Sequence, residues 1–86
     1  MKEQLKAKGW EIRDIAGLEI PYRKVGDWTI EWDGRFVAWG PKKTRVFYNR
    51  DLNAFSVMSL EPEGEMIPAA VVGELVLLSE MTDAKD

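Results

Sequence analysis

Carboxylates are the side chains in this sequence best suited to acid–base chemistry. Two lie close together at Glu31 and Asp33, and three alternate at Glu61, Glu63 and Glu65. General acid–base catalysis needs two carboxyl groups at a set separation, with one of them desolvated enough to raise its pKa. These carboxylates are expected in turns or on a polar strand face, where water solvates them. The alternating glutamates also lack the ligand spacing of a calcium loop, so both sets predict a solvated surface.

The sequence contains no histidine and no cysteine. Histidine is the commonest general base and metal ligand, and cysteine supplies thiolates for metal sites and for nucleophilic attack. A serine triad is therefore excluded for Ser56, Ser59 and Ser79, and no glycine-rich stretch has the spacing of a phosphate-binding loop. We expect a protein that is not an enzyme and that uses no cofactor or metal.

A group of basic and aromatic residues marks one predicted hairpin. The group consists of Lys42, Lys43, Arg45, Phe47, Tyr48 and Arg50. A basic strand with exposed rings suits single-stranded nucleic acid, because bases stack on the rings and phosphates pair with the cations. Cations at the turns and edges of a sheet also discourage aggregation, and the net charge of −3 favours this second explanation.

Three of the four tryptophans lie in one segment, GDWTIEWDGRFVAWG, residues 26–40. Its Asp33-Gly34 pair between alternating residues predicts a hairpin with a two-residue type I′ turn, because both turn positions need positive φ. This register pairs Trp28 with Trp39 and places all three tryptophans on one face of the sheet. The segment therefore predicts a tryptophan core stabilised by cross-strand pairs.

The N-terminal segment predicts a short helix followed by a strand. Residues 2–8 are good helix formers, Gly9 fits a C-cap, and residues 10–15 have the composition of a short strand. The alternative is one helix over 2–16, in which Gly9 would be a costly interior residue.

The whole pattern predicts an α+β fold. Short segments rich in β-formers, separated by turn residues, predict about five to six antiparallel strands, and residues 68–81 predict a helix begun by Pro68. Pro21 lacks an N–H donor, which predicts that its strand lies at an edge or carries a bulge. We expect a β-meander, curved or partly barrel-like, with a short N-terminal helix and the C-terminal helix packed on the sheet. Residues 1–86 are expected to form one domain, with 82–86 as a frayed tail.

The C-terminal helix carries more apolar surface than packing on one sheet requires. Glu74, Ser79 and Glu80 are its polar residues, whereas Leu77 and Met81 extend the apolar surface to a second side. Such a helix is either buried on most sides or presents a second face to a partner. A short chain has few residues that could cover such a helix on all sides. Two interpretations therefore stay open, an ordinary core helix and a helix with an interaction surface.

These observations favour a small, acidic, non-catalytic protein-binding module that inhibits or adapts a larger protein, of a size common among phage and other mobile-element proteins. Its expected contacts are the hairpin tip, where Arg35 is expected to stack on Trp32, the acidic loop and the second side of the helix. The candidate partner-binding residues are Trp32, Arg35, Glu61, Glu63, Glu65, Leu77 and Met81. Two alternatives stay open: a nucleic-acid-binding sheet domain that uses the basic hairpin, and a homo-oligomeric structural subunit.

The location of the protein is also suggested by composition. The lack of cysteine removes a disulfide framework, and the sequence shows neither an apolar leader nor a run long enough to span a bilayer. We therefore expect a cytoplasmic protein that does not enter membranes.

Overall fold

The α+β architecture predicted from the sequence is present in the computed structural model, which describes residues 1–49, 51–52, 54–59 and 66–83, with the backbone alone for 81–83. A short helix precedes six strands, and a longer helix follows them. The elements are α1 (Lys2–Ala7), β1 (Glu11–Ile15), β2 (Leu18–Val25), β3 (Trp28–Trp32), β4 (Phe36–Trp39), β5 (Thr44–Asn49), β6 (Ala54–Ser59) and α2 (Ala69–Asp83).

Gly9 separates α1 from β1, so the prediction of a helix followed by a strand is confirmed. Its φ of +93° is a conformation that favours glycine and ends the helix. The Trp10 N–H donates to the Leu5 carbonyl at 3.0 Å, and both side chains are buried. Lys2 and Glu19 tie α1 to β2 through a 2.6 Å ion pair, and this hydrogen bond raises the pKa of the lysine and lowers the pKa of the glutamate.

The strands form one antiparallel sheet in sequence order, β1-β2-β3-β4-β5-β6. Ala16-Gly17 joins β1 to β2 and Gly26-Asp27 joins β2 to β3, with positive φ at Ala16 and at both glycines. Two-residue turns of this kind match the twist of the flanking strands. Since β1 and β6 are both edges, the predicted meander is present as an open sheet that is not closed into a barrel.

Pro21 lies in β2, an interior strand, so the prediction of an edge strand or a bulge is wrong. Pro21 is opposite Ile12 of β1, whereas the pairing of β2 with β3 begins one residue later, between Tyr22 and Glu31. The backbone therefore has a paired neighbour on only one side at Pro21. An imino acid is tolerated there because no hydrogen bond to β3 is lost.

The side of the sheet covered by the helices, called the helix face below, carries the core. α2 lies over β4 and β5 and contributes Val71, Leu75 and Leu78, which recur along one side of the helix. Arg23 Nη1 donates to Glu74 Oε2 at 3.0 Å and adds an ion pair between β2 and α2. The buried core residues are Leu5, Trp10, Trp28, Ile30, Phe36, Ala38, Val46, Val71, Leu75 and Leu78.

α2 starts near its predicted position and runs two residues past its predicted end. The Pro68 carbonyl accepts from the N–H groups of Val71 and Val72 at 3.0 and 3.1 Å, which closes the first turn. The helix reaches Asp83, so two residues of the predicted 82–86 tail are helical. Residues 84–86 lie outside the described residues.

The predicted register of the tryptophan hairpin is wrong by one residue. The loop between β3 and β4 has three residues, 33–35, and the pairs are Thr29–Trp39, Ile30–Ala38, Glu31–Val37 and Trp32–Phe36. A slip of one residue reverses the face on which each side chain of β4 lies. Trp39 is therefore on the opposite face from Trp28 and Trp32, and the predicted Trp28–Trp39 pair does not form.

Packing between Trp28 and Gly40 explains the observed register. Continuing the β3–β4 pairing by one residue brings Gly40 opposite Trp28. A Cβ atom at Gly40 would lie 2.5 Å from the indole, so the ring occupies the space that any side chain would need. A second indole cannot fit there, whereas a glycine does, and core packing outweighs the local Asp-Gly turn preference.

Candidate functional site

Both helices pack on the helix face, and no described element covers the opposite side, called the outer face below. Strand alternation and register place two rows of side chains on it. One row consists of Lys24, Thr29, Trp39, Arg45 and Met58, and the other of Glu11, Tyr22, Glu31, Val37, Phe47 and Ser56. The outer face is therefore a mixture of charged, aromatic and apolar groups.

Arginines lie over aromatic rings at three places on the outer face. The pairs are Arg13–Tyr22 at 4.4 Å, Arg35–Phe47 at 4.4 Å and Arg45–Trp39 at 5.3 Å, measured from the guanidinium carbon to the ring centroid. The attraction between a guanidinium and the ring orients the side chain, while its N–H edge stays available for an acceptor.

The charges of the outer face are matched at the β1–β3 end. Arg13 Nη1 donates to Glu31 Oε2 at 3.0 Å. The Tyr22 phenol donates to the Glu11 carboxylate, and this hydrogen bond is the main cause that raises the pKa of Tyr22 above its usual value. The arginine and the tyrosine at this end of the outer face therefore already have carboxylate acceptors within the sheet.

Among the described residues, the β4–β6 end of the outer face is cationic. No ion pair within the described part of the chain involves Arg35, Lys43 or Arg45. Arg35 belongs to this end because the three-residue loop directs it over Phe47. The predicted stack of Arg35 on Trp32 is therefore wrong, and Trp32 lies half-buried against the core on the helix face.

A cavity of about 420 Å³ opens at the cationic end, and its lining residues, Trp39, Lys43, Arg45 and Met58, are called the outer cup below. Trp39 is 43% exposed and Met58 is 50% exposed. Arg45 Nη2 donates to Met58 Sδ at 2.9 Å, so the guanidinium is held between the indole and the thioether. The outer cup combines exposed apolar walls with an oriented cation.

The loop at the rim of the outer cup contains two strained lysines. Lys42 and Lys43 both have a φ of +55°, a left-handed conformation that costs a non-glycine residue about 1–2 kcal/mol. Two backbone hydrogen bonds hold the loop, from Gly40 N–H to the Thr44 carbonyl at 2.8 Å and from Thr44 N–H to the Pro41 carbonyl at 3.1 Å. Backbone strain of this kind is often found at functional sites, which makes the outer cup beside this loop a candidate binding site.

Lys43→Gly is expected to raise the free energy of unfolding by about 0.5–1 kcal/mol, because relief of the left-handed strain exceeds the added entropy of the unfolded chain. Ala16→Gly is the matched comparison, for which we expect a change of the same sign. Ala16 also has a positive φ, of +53°, in a turn at the other end of the sheet. Urea denaturation of both variants measures the effect. A lower free energy of unfolding in either variant would show that the turn that carries this substitution is not strained.

The structure places only part of the predicted partner-binding set on an open surface. Leu77 is 60% exposed on α2, and Arg35 lies on the outer face. Trp32 is half-buried on the helix face. The remaining members, Glu61, Glu63, Glu65 and the side chain of Met81, lie outside the described residues.

The structure divides the predicted nucleic-acid set between the two faces. Lys43 and Arg45 line the outer cup, Lys42 lies in its rim loop, and Phe47 is on the outer face. Tyr48 lies on the helix face, where its ring is 5.0 Å from the Phe55 ring. Arg50 lies outside the described residues.

Sequence reasoning missed two walls of the outer cup, Trp39 and Met58. Trp39 was assigned to the core because its face depends on the hairpin register, and the observed register differs by one residue. Gly40 is the signal that could have corrected it, since glycine beside a buried tryptophan leaves room for the ring. Met58 joins the cup only through the pairing of β6 with β5, opposite Arg45.

The described ranges offer neither a metal site nor a membrane-spanning helix. No three histidine, cysteine, aspartate or glutamate side chains there converge in a way that could hold a metal ion. No helix in the same ranges is both long enough and apolar enough to cross a membrane. No protein-family model, curated protein or solved structure matches the chain.

Proposed function

We propose that this chain is a non-catalytic protein-binding module whose contact surface is the outer cup with the adjoining Arg35–Phe47 pair. The observation that carries the proposal is the position of Arg45. Its guanidinium lies over an exposed indole and has no carboxylate partner among the described residues. Tryptophan, arginine and methionine are enriched at protein interfaces, and tryptophan and arginine are typical of residues that dominate binding energy.

The charge of the site indicates the chemistry of the partner. Arg35, Lys43 and Arg45 make this end of the outer face positive, although the whole chain carries a net charge of −3. A carboxylate can accept two parallel hydrogen bonds from the oriented guanidinium. The walls formed by Trp39 and Met58 add apolar contact area beside that charge. The partner segment that fits is one with an acidic side chain next to an aromatic or aliphatic one.

The setting of this interaction is part of the same proposal. We place the module in the cytoplasm, as an inhibitor or adaptor of a larger protein. The lack of cysteine is consistent with a reducing compartment, and a chain of 86 residues suits a subunit that acts by occupying a surface.

Selection of a displayed random-peptide library on the intact protein tests the proposal. We expect the enriched peptides to contain Asp or Glu beside an aromatic or aliphatic residue. A synthetic peptide of that sequence should bind Arg45→Glu about tenfold more weakly, because a bidentate pair is replaced by repulsion. Lys43→Gly should also weaken binding while raising stability. Binding is measured by titration calorimetry.

Lys24→Glu is the matched control, since Lys24 lies in the same row of the outer face but outside the cup. This variant has the same charge change and should alter the affinity less than about twofold. The proposal fails if the enriched peptides lack acidic residues, or if Arg45→Glu and Lys24→Glu have equal effects.

Single-stranded nucleic acid is the second candidate, favoured by the closeness of Lys42, Lys43 and Arg45 to the outer cup. Base stacking needs uncovered rings, but guanidinium groups already lie over Trp39 and Phe47. The acidic net charge also opposes phosphate binding. A fluorescent single-stranded oligonucleotide separates the candidates. Salt-sensitive binding that is lost in a Lys42→Glu, Lys43→Glu double variant would favour nucleic acid over protein.

A further inference from the structure

Met58 is the residue of the outer cup whose side chain a peroxide can modify. It is 50% exposed on the outer face, and it forms a wall of a cavity that opens to solvent. Methionines buried in a core are shielded from dissolved oxidants, whereas this thioether sulfur can be reached in the folded chain. Its oxidation therefore requires no unfolding step.

The Met58 sulfur also contacts Arg45, the cation that the proposed function requires. The two residues are opposite each other in the pairing of β5 with β6, and Arg45 Nη2 donates to Met58 Sδ at 2.9 Å. A thioether is a weak acceptor, so the guanidinium can exchange this contact for a carboxylate of a partner. No carboxylate in the described part of the chain forms an ion pair with Arg45. The acceptor strength of the Met58 side chain therefore determines how available Arg45 is to a partner.

We propose that Met58 is an oxidation site that closes the outer cup, an inference that rests on the proposed function. The oxidant is a hydroperoxide such as hydrogen peroxide. The Met58 sulfur attacks one peroxide oxygen, so that an S–O bond forms while the O–O bond breaks. The sulfur loses an electron pair to the peroxide, and the departing hydroxide takes the proton of the transferred hydroxyl. The products are methionine sulfoxide and water, and sulfoxide reductases reverse the change.

The sulfoxide changes the outer cup in two ways. Its oxygen is a stronger acceptor than the thioether and is bonded to an atom that Arg45 already contacts, so it forms a charge-assisted hydrogen bond with the guanidinium. A partner carboxylate must then displace that oxygen. The apolar wall beside Trp39 also becomes polar. Both changes weaken the binding of a segment that carries an acidic side chain next to an apolar one.

Oxidation at Met58 is expected to weaken binding about fivefold, because the guanidinium then has a competing acceptor within the chain. The probe is the acidic peptide selected on the untreated protein, titrated by calorimetry after hydrogen peroxide has been removed. Mass spectrometry of proteolytic fragments locates the added oxygen, and circular dichroism confirms that the oxidised protein is folded. Treatment with sulfoxide reductase should restore the original affinity.

Met66 provides the matched control within the same chain. It is 87% exposed and lines a different cavity, with no arginine among the described residues around it. Met66→Leu should therefore keep the full response to peroxide. Met58→Leu has no sulfur at this position, so its affinity should be the same before and after treatment. Met58→Gln places an amide oxygen within reach of Arg45 and should bind the peptide weakly without any oxidant.

The guanidinium N–H signals of Arg45 in nuclear magnetic resonance spectra give a measurement that needs no partner. They are assigned by their loss in Arg45→Lys. Their exchange with solvent should slow at least about threefold when Met58 is oxidised, and should not change in peroxide-treated Met58→Leu. Unchanged exchange in the oxidised wild type overturns the inference. So does a Met58 that stays unmodified when Met66 is fully oxidised.

The two measurements separate this inference from the proposed function. If the untreated protein binds an acidic peptide and oxidation at Met58 leaves the affinity unchanged, the inference fails and the proposed function stands. If no acidic peptide binds the untreated protein, the proposed function fails. The guanidinium signals then decide alone whether the sulfoxide holds Arg45.

Discussion

Gly40→Ala is expected to lower the free energy of unfolding by about 3 kcal/mol, although it adds a single methyl group in a loop. The new Cβ atom would lie 2.5 Å from Cε2 and Cζ2 of Trp28 and 2.6 Å from Cη2. The indole cannot move aside easily, because Trp28 is among the largest fully buried side chains of the core. A chain of 86 residues has a total stability of roughly 4–13 kcal/mol, so this loss is a large fraction.

Guanidinium chloride denaturation measures this effect, as a lower midpoint at an unchanged slope. Gly73→Ala is the matched control, because a Cβ at Gly73 in α2 has no atom within 4 Å. That variant should gain about 1 kcal/mol from helix propensity, so the same substitution has opposite signs at the two sites. Adding Trp28→Phe to Gly40→Ala should recover part of the loss through coupling. A neutral Gly40→Ala would mean that the indole does not lie over Gly40.

Leu75→Ala is expected to lower the free energy of unfolding by about 2–5 kcal/mol. Leu75 is fully buried where α2 packs on the sheet, so truncation leaves a cavity in the core. Leu77→Ala makes the same chemical change two residues further along α2, at an exposed position, and should change stability by less than about 0.5 kcal/mol.

Thermal and chemical denaturation of the two leucine variants give the comparison directly. If Leu77→Ala costs as much as Leu75→Ala, the second side of α2 is buried by another copy or by a partner. That result would support assembly through the helix. A much larger loss of stability for Leu75→Ala than for Leu77→Ala would indicate that only one side of α2 is packed.

The sequence was sufficient to predict the elements of the fold but not the register of one hairpin. Alternating β-formers and turn residues determine where strands begin and end. Gly9 and Pro68 mark helix boundaries through local conformational preferences, and the folded structure keeps both boundaries. The loop at 33–35 is different, because the Asp-Gly preference is local and the fit of Trp28 over Gly40 is not. A register shift of one residue transfers every side chain of a strand to the opposite face, so the predicted register put Trp39 on the wrong face.

The candidate site was predictable to the extent that it depends on residue type. Lys43, Arg45 and Phe47 were identified from their basic and aromatic character, without knowledge of the sheet. Trp39 and Met58 depend on the pairing of β4, β5 and β6, which brings side chains from three strands into one row.

The strand order has a consequence for how the protein folds. Every strand pairs only with its neighbours in the sequence, so each hairpin closes a short loop and needs no distant segment. Contact between distant parts of the chain enters with α2, as in the ion pair between Arg23 and Glu74, 51 residues apart. The sheet can therefore grow by successive hairpins, and docking of α2 is the step that closes the core. Low contact order of this kind is associated with rapid folding, which shortens the time during which the apolar core residues under α2 are exposed in a partly folded chain.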